Sequence, residues 1–181
     1  MLDLLIPTIA QGLLWSLLAL GVYITFRVLD IADLSVEGTF PIGAAVAATC
    51  ITSGHSLVTA FVLAVLAGCI AGAVTGLLTT KLKIPALLSG ILTMIGLYSI
   101  NLRVMGRANL SLLGQTTIYS WGASAGLTEA QTTLAVGLIA TLLVVAVVYW
   151  FFGTEIGLAL RATGYNPQMS RAQGVNTDSM V

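Results

Sequence analysis

Few residues of this chain have the type and spacing that catalysis would need. Gly122-Ala-Ser-Ala-Gly126 fits the G-x-S-x-G pattern, which presents a serine nucleophile at a sharp turn. The base would have to be His55, the sole histidine, and no carboxylate is obviously placed to orient it. The motif also lies in a polar stretch rich in Gly, Ser and Thr, where chance matches are common. An intramembrane serine protease is therefore a remote alternative, and we expect no catalytic residue.

The sequence patterns of metal and nucleotide sites are missing as well. Cys50 and Cys69 make no CxxC pair, so neither a disulfide framework nor a metal site is expected. No G-x-x-x-x-G-K-[ST] sequence occurs, so this chain is not expected to cradle ATP phosphates or to hold a cofactor. Any ATP-driven activity would then require a separate ATPase subunit.

Three carboxylates are grouped near the end of the first apolar stretch. Asp30, Asp33 and Glu37 are spaced i, i+3 and i+7 and would share one face of a helix. One interpretation is a solvated edge at the level of the lipid headgroups. The other is that a carboxylate reaches membrane depth and shapes a pathway or a helix break. A transporter or channel driven by an ion gradient would use these residues, and it is our alternative function.

The composition indicates that the elements carrying these residues lie in lipid. The 181 residues are 57% hydrophobic and 8% charged, with a mean hydropathy of +1.01, whereas soluble domains are about 25% charged. Seven Lys and Arg balance seven Asp and Glu, which leaves no basic excess for nucleic acid. Because backbone groups in lipid must bond within their own segment, we expect an all-α, polytopic membrane protein.

Charge-free stretches long enough to cross the bilayer, which takes about 20 helical residues, predict four spans. These are Leu4 to Phe26, Leu57 to Thr80, Pro85 to Val104 and Glu129 to Phe152. Thr128 and Gln131 predict a capping box before the last span, and Gly153 ends it. The start, Met-Leu-Asp, has no basic n-region, so we expect the first span to be retained rather than cleaved as a signal peptide.

A fifth segment, residues 27–53, is less regular. From Pro41 to Ser53 a helix would rise only about 20 Å, so we expect a broken or re-entrant element. Orientation follows from the distribution of Lys and Arg. A cytosolic tail places five of these residues inside and two outside: Arg27, Lys81, Lys83, Arg161 and Arg171 against Arg103 and Arg107. Met1 then faces outward, or faces the cytosol if the fifth segment only dips into the membrane.

Two of the predicted spans contain small or polar residues at helical spacing. The second has small residues at four-residue intervals, which predict close helix packing: Ala60, Ala64, Gly68, Gly72 and Gly76. The third has a stripe that could line a substrate pathway: Ser89, Thr93, Gly96 and Asn101, with Arg103 at its outer end. The alternative for this stripe is hydrogen bonding between helices.

The tail, which we call the elbow (residues 153–178), is weakly charged for a solvated connection. Thr154 is a good N-cap with Glu155 in the first turn, and Gly164 is expected to end this helix in a left-handed conformation. Asn166-Pro167 then starts a second short turn. Because a solvated connection would be more polar, we expect this helix-turn-helix to dock against a partner.

The elbow resembles the cytosolic coupling loop of ABC importer permeases of the branched-chain amino acid and ribose type. The residues that carry the resemblance are Thr154, Gly157, Arg161, Ala162, Gly164, Asn166, Ala172 and Gly174. Together with Glu155 they are the residues expected to couple the chain to the ATPase. Upstream, the signature segment Asp33-Leu-Ser35-Val-Glu37-Gly38 is similar to the Asp-Leu-Ser-Val-Gly sequence of the same superfamily. Residues 87–112 look closer still to bacterial permeases assigned to tryptophan or tyrosine uptake.

The resemblance implies a multi-pass permease subunit of the bacterial cytoplasmic membrane. Its implied partners are ABC ATPase subunits, an extracytoplasmic solute-binding protein and a second permease copy, and its substrate an amino acid or similar small solute. Family members continue past the coupling loop with several more helices, whereas this chain stops at Val181. We therefore expect residues 1–181 to form the N-terminal part of a single, longer permease domain, with residues 153–178 as its coupling region.

Overall fold

The fold is built from long apolar helices. The computed structural model describes residues 2–112, 114–115, 117, 120, 122, 126 and 128–180, and the side chains of all these except 2–4. Five longer helices are α1 (Leu2–Tyr23), α2 (Val36–Thr52), α3 (Leu57–Thr80), α4 (Ala86–Met105) and α5 (Glu129–Phe152). The elbow adds α6 (Glu155–Tyr165), α7 (Pro167–Ala172) and a 3₁₀ turn, Thr177–Ser179.

Four helices in the described part of the chain are long and apolar enough to cross a membrane. They are α1 with its π-helical extension Ile24–Val28, and α3, α4 and α5. These agree with the four spans that the charge-free stretches predict. The capping box is also confirmed, because Thr128 N–H donates to Gln131 Oε1 (3.1 Å) and Gln131 N–H to Thr128 Oγ1 (3.4 Å).

The fifth segment differs from its prediction in where the break falls. Residues 29–35 are not helical, and α2 then runs without interruption through Pro41. Its 17 residues rise about 26 Å, close to the roughly 30 Å of a hydrocarbon layer. Pro41 is the sixth residue of α2, so it lies past the first turn and the helix continues through it with one i→i−4 hydrogen bond fewer.

The expected shared helical face of the three carboxylates is wrong. Asp30 adopts a left-handed backbone conformation (φ 55°) and Asp33 lies in the non-helical link, so only Glu37 is helical. The physical cause is local, since the Asp33 carboxylate accepts hydrogen bonds from the backbone and hydroxyl of Ser35. Such side-chain bonds compete with the helical ladder.

The chain's contacts divide it into two compact units. The first contains residues 1–31 and 121–181, in which α1 packs along α5 and the elbow meets both helix ends. The side chain of Leu13 lies 3.3 Å from a Cβ built on Gly137, and Thr141 Oγ1 donates to the Leu13 carbonyl at 3.3 Å. Ala10 is fully buried here. Residue numbers rise together along the two helices, so α1 and α5 run parallel.

The second unit contains residues 32–120 and is a three-helix packing of α2, α3 and α4. A small core of Ile42, Ala71 and Leu97 lies among the three helices. Thr49 Oγ1 donates to the Val104 carbonyl (3.3 Å) near one end, and Gly38 contacts Met94 nearer the other. The helices α2 and α4 therefore run parallel, with α3 antiparallel to both.

Candidate functional site

The elbow starts with a capped helix pressed against the end of α5. Thr154 Oγ1 accepts from the Gly157 N–H (3.3 Å) and donates to the Phe151 carbonyl (2.6 Å), as expected of an N-cap. Glu155 in the first turn complements the positive end of the helix dipole. A Cβ on Gly157 would overlap the Phe151 carbonyl oxygen, so this buried position requires glycine.

Arg161 ties the same helix back to α5. Its Nη2 donates to the carbonyl of Phe152 at 2.5 Å, and its guanidinium lies 5.2 Å from the centroid of the Phe152 ring. A cation that bonds the last carbonyls of a helix and stacks on an aromatic face is stabilising. The guanidinium is exposed and four of its five N–H donors have no hydrogen bond among the described residues, so Arg161 also presents charge to the surroundings.

Gly164 has a different role from the one predicted. The helix continues to Tyr165, and Gly164 does not have a positive φ, so the predicted left-handed helix end at this residue is wrong. A Cβ at Gly164 would instead overlap the carbonyl oxygen of Val28, with Leu29 Cα 3.0 Å away. The glycine is needed for close packing against the end of the π-helical extension, which no local sequence pattern reveals.

Asn166 joins the two helices of the elbow. Its backbone N–H closes α6 on the Ala162 carbonyl, and its Oδ1 accepts from the Met169 N–H (3.0 Å) to cap α7, as the Asn-Pro pair predicts. Gly174, with φ +86°, follows the end of α7, and Ala172 is exposed.

The end of the elbow folds back on α7. Arg171 pairs with Asp178 at 2.8 Å, and its Nε donates to Thr177 Oγ1. Thr177 is buried by this fold-back. Ala162, a predicted coupling residue on α6, is exposed. The elbow is thus held by contacts within itself as well as by α1 and α5.

Large apolar side chains on the elbow are left uncovered in this structure. Tyr165 is 95% exposed, and Met169, Ile156 and Leu158 are each more than half exposed. Sequence reasoning did not single out Tyr165 or Met169, although large apolar residues beside an Asn-Pro turn were the available signal. An exposed apolar surface of this kind is typical of a contact with another protein or with a membrane.

The signature segment is locked in the second unit. Ser35 is buried, its N–H lies 2.8 Å from Asp33 Oδ1 and its hydroxyl 2.9 Å from Oδ2. A Cβ on Gly90 of α4 would lie 2.7 Å from the Leu34 nitrogen and 2.8 Å from Asp33 Oδ1. Only glycine allows this approach.

The other end of the signature segment also touches α4. A Cβ on Gly38 would lie 2.9 Å from Met94 Cα, and Gly38 is buried. Glu37, next to it, is exposed. The contacts of the signature segment therefore fix the packing of α2 against α4.

The polar stripe of α4 is mostly turned toward α3. Ser89 and Thr93 are buried, with Ser89 Oγ 2.6 Å from Thr79 Oγ1 and Thr93 Oγ1 accepting from Thr75 at 3.0 Å. These contacts fit hydrogen bonding between helices. Gly96 is exposed. A pathway role for the stripe stays a prediction.

Asn101, the last residue of the stripe, is buried, and its Oδ1 has no hydrogen-bond partner among the described residues. A buried amide oxygen without a partner is costly. It therefore differs from Ser89 and Thr93, whose hydroxyls are paired.

The small residues of α3 are not uniformly packed. Gly43 of α2 approaches the carbonyl of Ala64, whereas Gly68 and Gly72 have no atom within 4 Å of a built Cβ. Gly76 is half-buried. Their predicted packing role stays a prediction. Among the described glycines of the second unit, Gly38 and Gly90 have the least room for a side chain.

The remaining residues considered in the sequence are the candidate metal ligands, the cysteines and the serine motif. No group of three or more His, Cys, Asp or Glu there is placed to hold a metal ion. His55 is exposed in the turn before α3, and Cys50 and Cys69 are free. Ser124 of the G-x-S-x-G motif lies outside the described residues.

The helical spans are those of a polytopic helical membrane protein. Residues 4–181 match the model of the family described as branched-chain amino acid transport system / permease component. The chain belongs to this family and is a multi-pass protein of the bacterial inner membrane.

Two curated relatives are similar over nearly the whole chain. One is a tyrosine transport system permease protein of Clostridioides difficile (strain R20291), 39% identical over 176 residues, or 97% of this chain. The other is an uncharacterized protein, RP368, of Rickettsia prowazekii (strain Madrid E), 34% identical over 168 residues, or 93% of this chain. The chain spans 57% of the length of each. No solved structure matches it.

Proposed function

We propose that this chain is the membrane subunit of an ATP-driven ABC importer and that the elbow is its docking surface for the ATPase. The proposal is carried by one observation: the elbow packs tightly against two helix ends on one side and exposes large apolar side chains on another. Gly157 and Gly164 hold α6 against the ends of α5 and α1, while Tyr165 and Met169 face outward. Such a surface can bind a partner protein through its exposed apolar side chains and pass the movement of that partner to α1 and α5.

The mechanism follows from this attachment. ATP binding and hydrolysis in a separate subunit would favour different positions of the elbow, and the close packing at Gly157 and Gly164 would pass that displacement to α5 and α1. The chain itself would supply no nucleotide site and no cofactor. Its contribution is a two-state bundle whose equilibrium the ATPase biases.

The orientation of the elbow is part of the proposal. Because α1 and α5 run parallel, the chain must cross the membrane an odd number of times between Val28 and Glu129. The helices α2, α3 and α4 supply three crossings, which favours a crossing α2 over a re-entrant one. With the elbow in the cytosol, Met1 faces outward and five of the seven Lys and Arg face inward, as the positive-inside rule requires.

The transported solute is proposed from the relatives. The tyrosine transport system permease protein, 39% identical, supports an amino acid, and an aromatic one in particular. An extracytoplasmic solute-binding protein would deliver it, and two permease copies would line the path.

Co-purification tests the proposal. The chain is solubilised in mild detergent together with the ATPase encoded by a neighbouring reading frame, and the two are passed through a sizing column. We expect a stable complex, and we expect radiolabelled tyrosine uptake by cells expressing the complete system to stop when ATP is depleted. Absence of the complex, or uptake that survives ATP depletion and collapses with the membrane potential, contradicts the proposal and favours an ion-coupled transporter.

A further inference from the structure

An open cleft lies where α1, α5 and the start of the elbow meet in the first unit. Its volume is about 700 Å³. Its lining is largely apolar and includes the aliphatic side chains of Leu20, Val145 and Val148 and the aromatic side chains of Tyr149 and Trp150. Tyr149 and Trp150 are largely exposed. Amphipathic rings of this kind favour the headgroup layer of a membrane.

A second, more polar cavity of about 550 Å³ continues from the first. The two share Tyr23, Val28 and Arg161 as walls. The second cavity adds Arg27 and Asp30. With Arg161, its lining carries two arginines and one carboxylate, a net charge of +1. The combined site therefore has an apolar end and a positively charged end.

Both arginines keep donors available. Arg161 uses one N–H on the Phe152 carbonyl and has the rest of its guanidinium free among the described residues. Arg27 is exposed and makes no ion pair with any described residue. The only ion pair found among the described residues joins Arg171 to Asp178, in the last part of the elbow.

We propose that the two cavities form one binding site for an anionic phospholipid. An acyl chain lies in the aliphatic and aromatic cleft, and the phosphate lies between Arg27 and Arg161. Three observations select this occupant: an apolar cavity that shares walls with a cationic one, aromatic side chains in the lining, and a position at the C-terminal ends of two spans. Basic pockets between spans on the cytoplasmic side are suited to acidic headgroups.

The proposal does not depend on ATPase docking, but it takes the cytoplasmic position of the elbow from the proposed function. Tyr165 also lines the second cavity, so the lipid site and the exposed apolar side of the elbow meet at this residue. A bound lipid would contact α1, α5 and α6 at once through Tyr23, Val145 and Arg161. It would therefore hold the elbow near both helix ends.

Tryptophan quenching tests the site directly. Trp150 is made the only tryptophan by Trp15→Phe and Trp121→Phe, and the purified chain in detergent is titrated with phospholipids whose acyl chains carry bromine. Brominated phosphatidylglycerol is compared with brominated phosphatidylcholine. We expect phosphatidylglycerol to quench Trp150 at a lower mole fraction. Each of Arg27→Gln and Arg161→Gln should reduce this preference by roughly fivefold.

The variants control for one another. Arg161→Gln removes a contact with α5, whereas Arg27→Gln removes no ion pair, so a loss of preference in both reports charge rather than altered folding. Arg103→Gln removes an exposed arginine at the end of α4 and should leave the preference unchanged.

Four results would overturn the proposal. The first is equal quenching by the two lipids, and the second is an equal effect of Arg103→Gln. Displacement of phosphatidylglycerol by inorganic phosphate alone would show a free-anion site instead. A Trp150 that is protected from both lipids in a particle with the mass of two chains would show that a second copy covers the cleft.

Discussion

Gly164 of the elbow lies directly against the carbonyl group of Val28, so close that a single methyl group would overlap its oxygen. Gly157, two turns earlier, stands in the same relationship to the Phe151 carbonyl. These two contacts join one short helix to the ends of α1 and α5. A displacement of the elbow must therefore move both spans or break both contacts.

Replacing Gly164 with alanine should weaken the packing of α6 against the π-helical extension of α1. The added Cβ has no free space, so either the elbow moves away from Val28 or the π-helical extension shifts, at a cost of about 1–3 kcal/mol for overpacking. We expect the apparent melting temperature of the purified chain in detergent to fall by roughly 5 °C.

Gly12→Ala is the matched control for that measurement. Gly12 lies inside α1 of the same unit and has no atom within 4 Å of a built Cβ. Alanine there should be neutral or stabilising by up to about 1 kcal/mol, because glycine is a weaker helix former. A Gly164→Ala protein as stable as Gly12→Ala would contradict the close contact.

Gly90→Ala should displace the signature segment. A Cβ at this position would meet the Leu34 nitrogen and the Asp33 carboxylate, both closer than 3 Å. We expect a loss of about 1–3 kcal/mol in the free energy of unfolding, measured by denaturation in mixed micelles. Gly96→Ala, on the same helix but with nothing near its Cβ, should be at least as stable as the unmodified chain. Equal stability of the two variants would show that Asp33 and Leu34 do not pack on α4 as described.

The hydroxyl pair Thr75–Thr93 should couple α3 to α4 modestly. A double-mutant cycle with Thr75→Val and Thr93→Val is expected to give a coupling energy of about 0.6 kcal/mol, as is usual for hydrogen bonds between membrane helices. Solute uptake at saturating concentration should then be little changed. Uptake that fails in both single variants, with no loss of stability, would instead show that the stripe lines the substrate path.

Arg161→Glu should uncouple ATP hydrolysis from transport while the protein stays in the membrane. The change replaces a donor to the Phe152 carbonyl with a group that this carbonyl repels, and it also removes the stacking on the Phe152 ring. Both rates are measured in the same proteoliposomes, with Arg107→Glu as a charge-reversal control far along the chain. Transport by Arg161→Glu equal to that of the control would show that this arginine is not part of the coupling surface.

Much of the fold could be predicted because it depends on local patterns. Two of the spans, α3 and α5, begin and end where the charge-free stretches and the caps indicate. The start of α2 was missed because the link before it is shaped by one carboxylate, Asp33, turning back on Ser35. Hydropathy carries no information about such a bond.

The site was predicted less completely than the fold. Resemblance identified Gly157 and Gly164, but the reason for each is a contact with a residue of another helix, which sequence spacing does not encode. The cleft beside Arg161 was not predicted at all, because Tyr23 and Trp150 are far apart in the chain. Long-range packing of this kind becomes visible only in three dimensions.

The most direct test of ATPase docking is a photo-cross-linker at Tyr165, the only aromatic residue of the elbow and 95% exposed. Benzoylphenylalanine is incorporated there, and at Tyr98 of α4 as a control, and intact cells are irradiated. The account predicts a covalent product from position 165 with a protein that carries a G-x-x-x-x-G-K-[ST] sequence, and none from position 98. Cross-linking of position 165 to an extracytoplasmic protein, or its labelling by a reagent that cannot cross the membrane, would contradict the account.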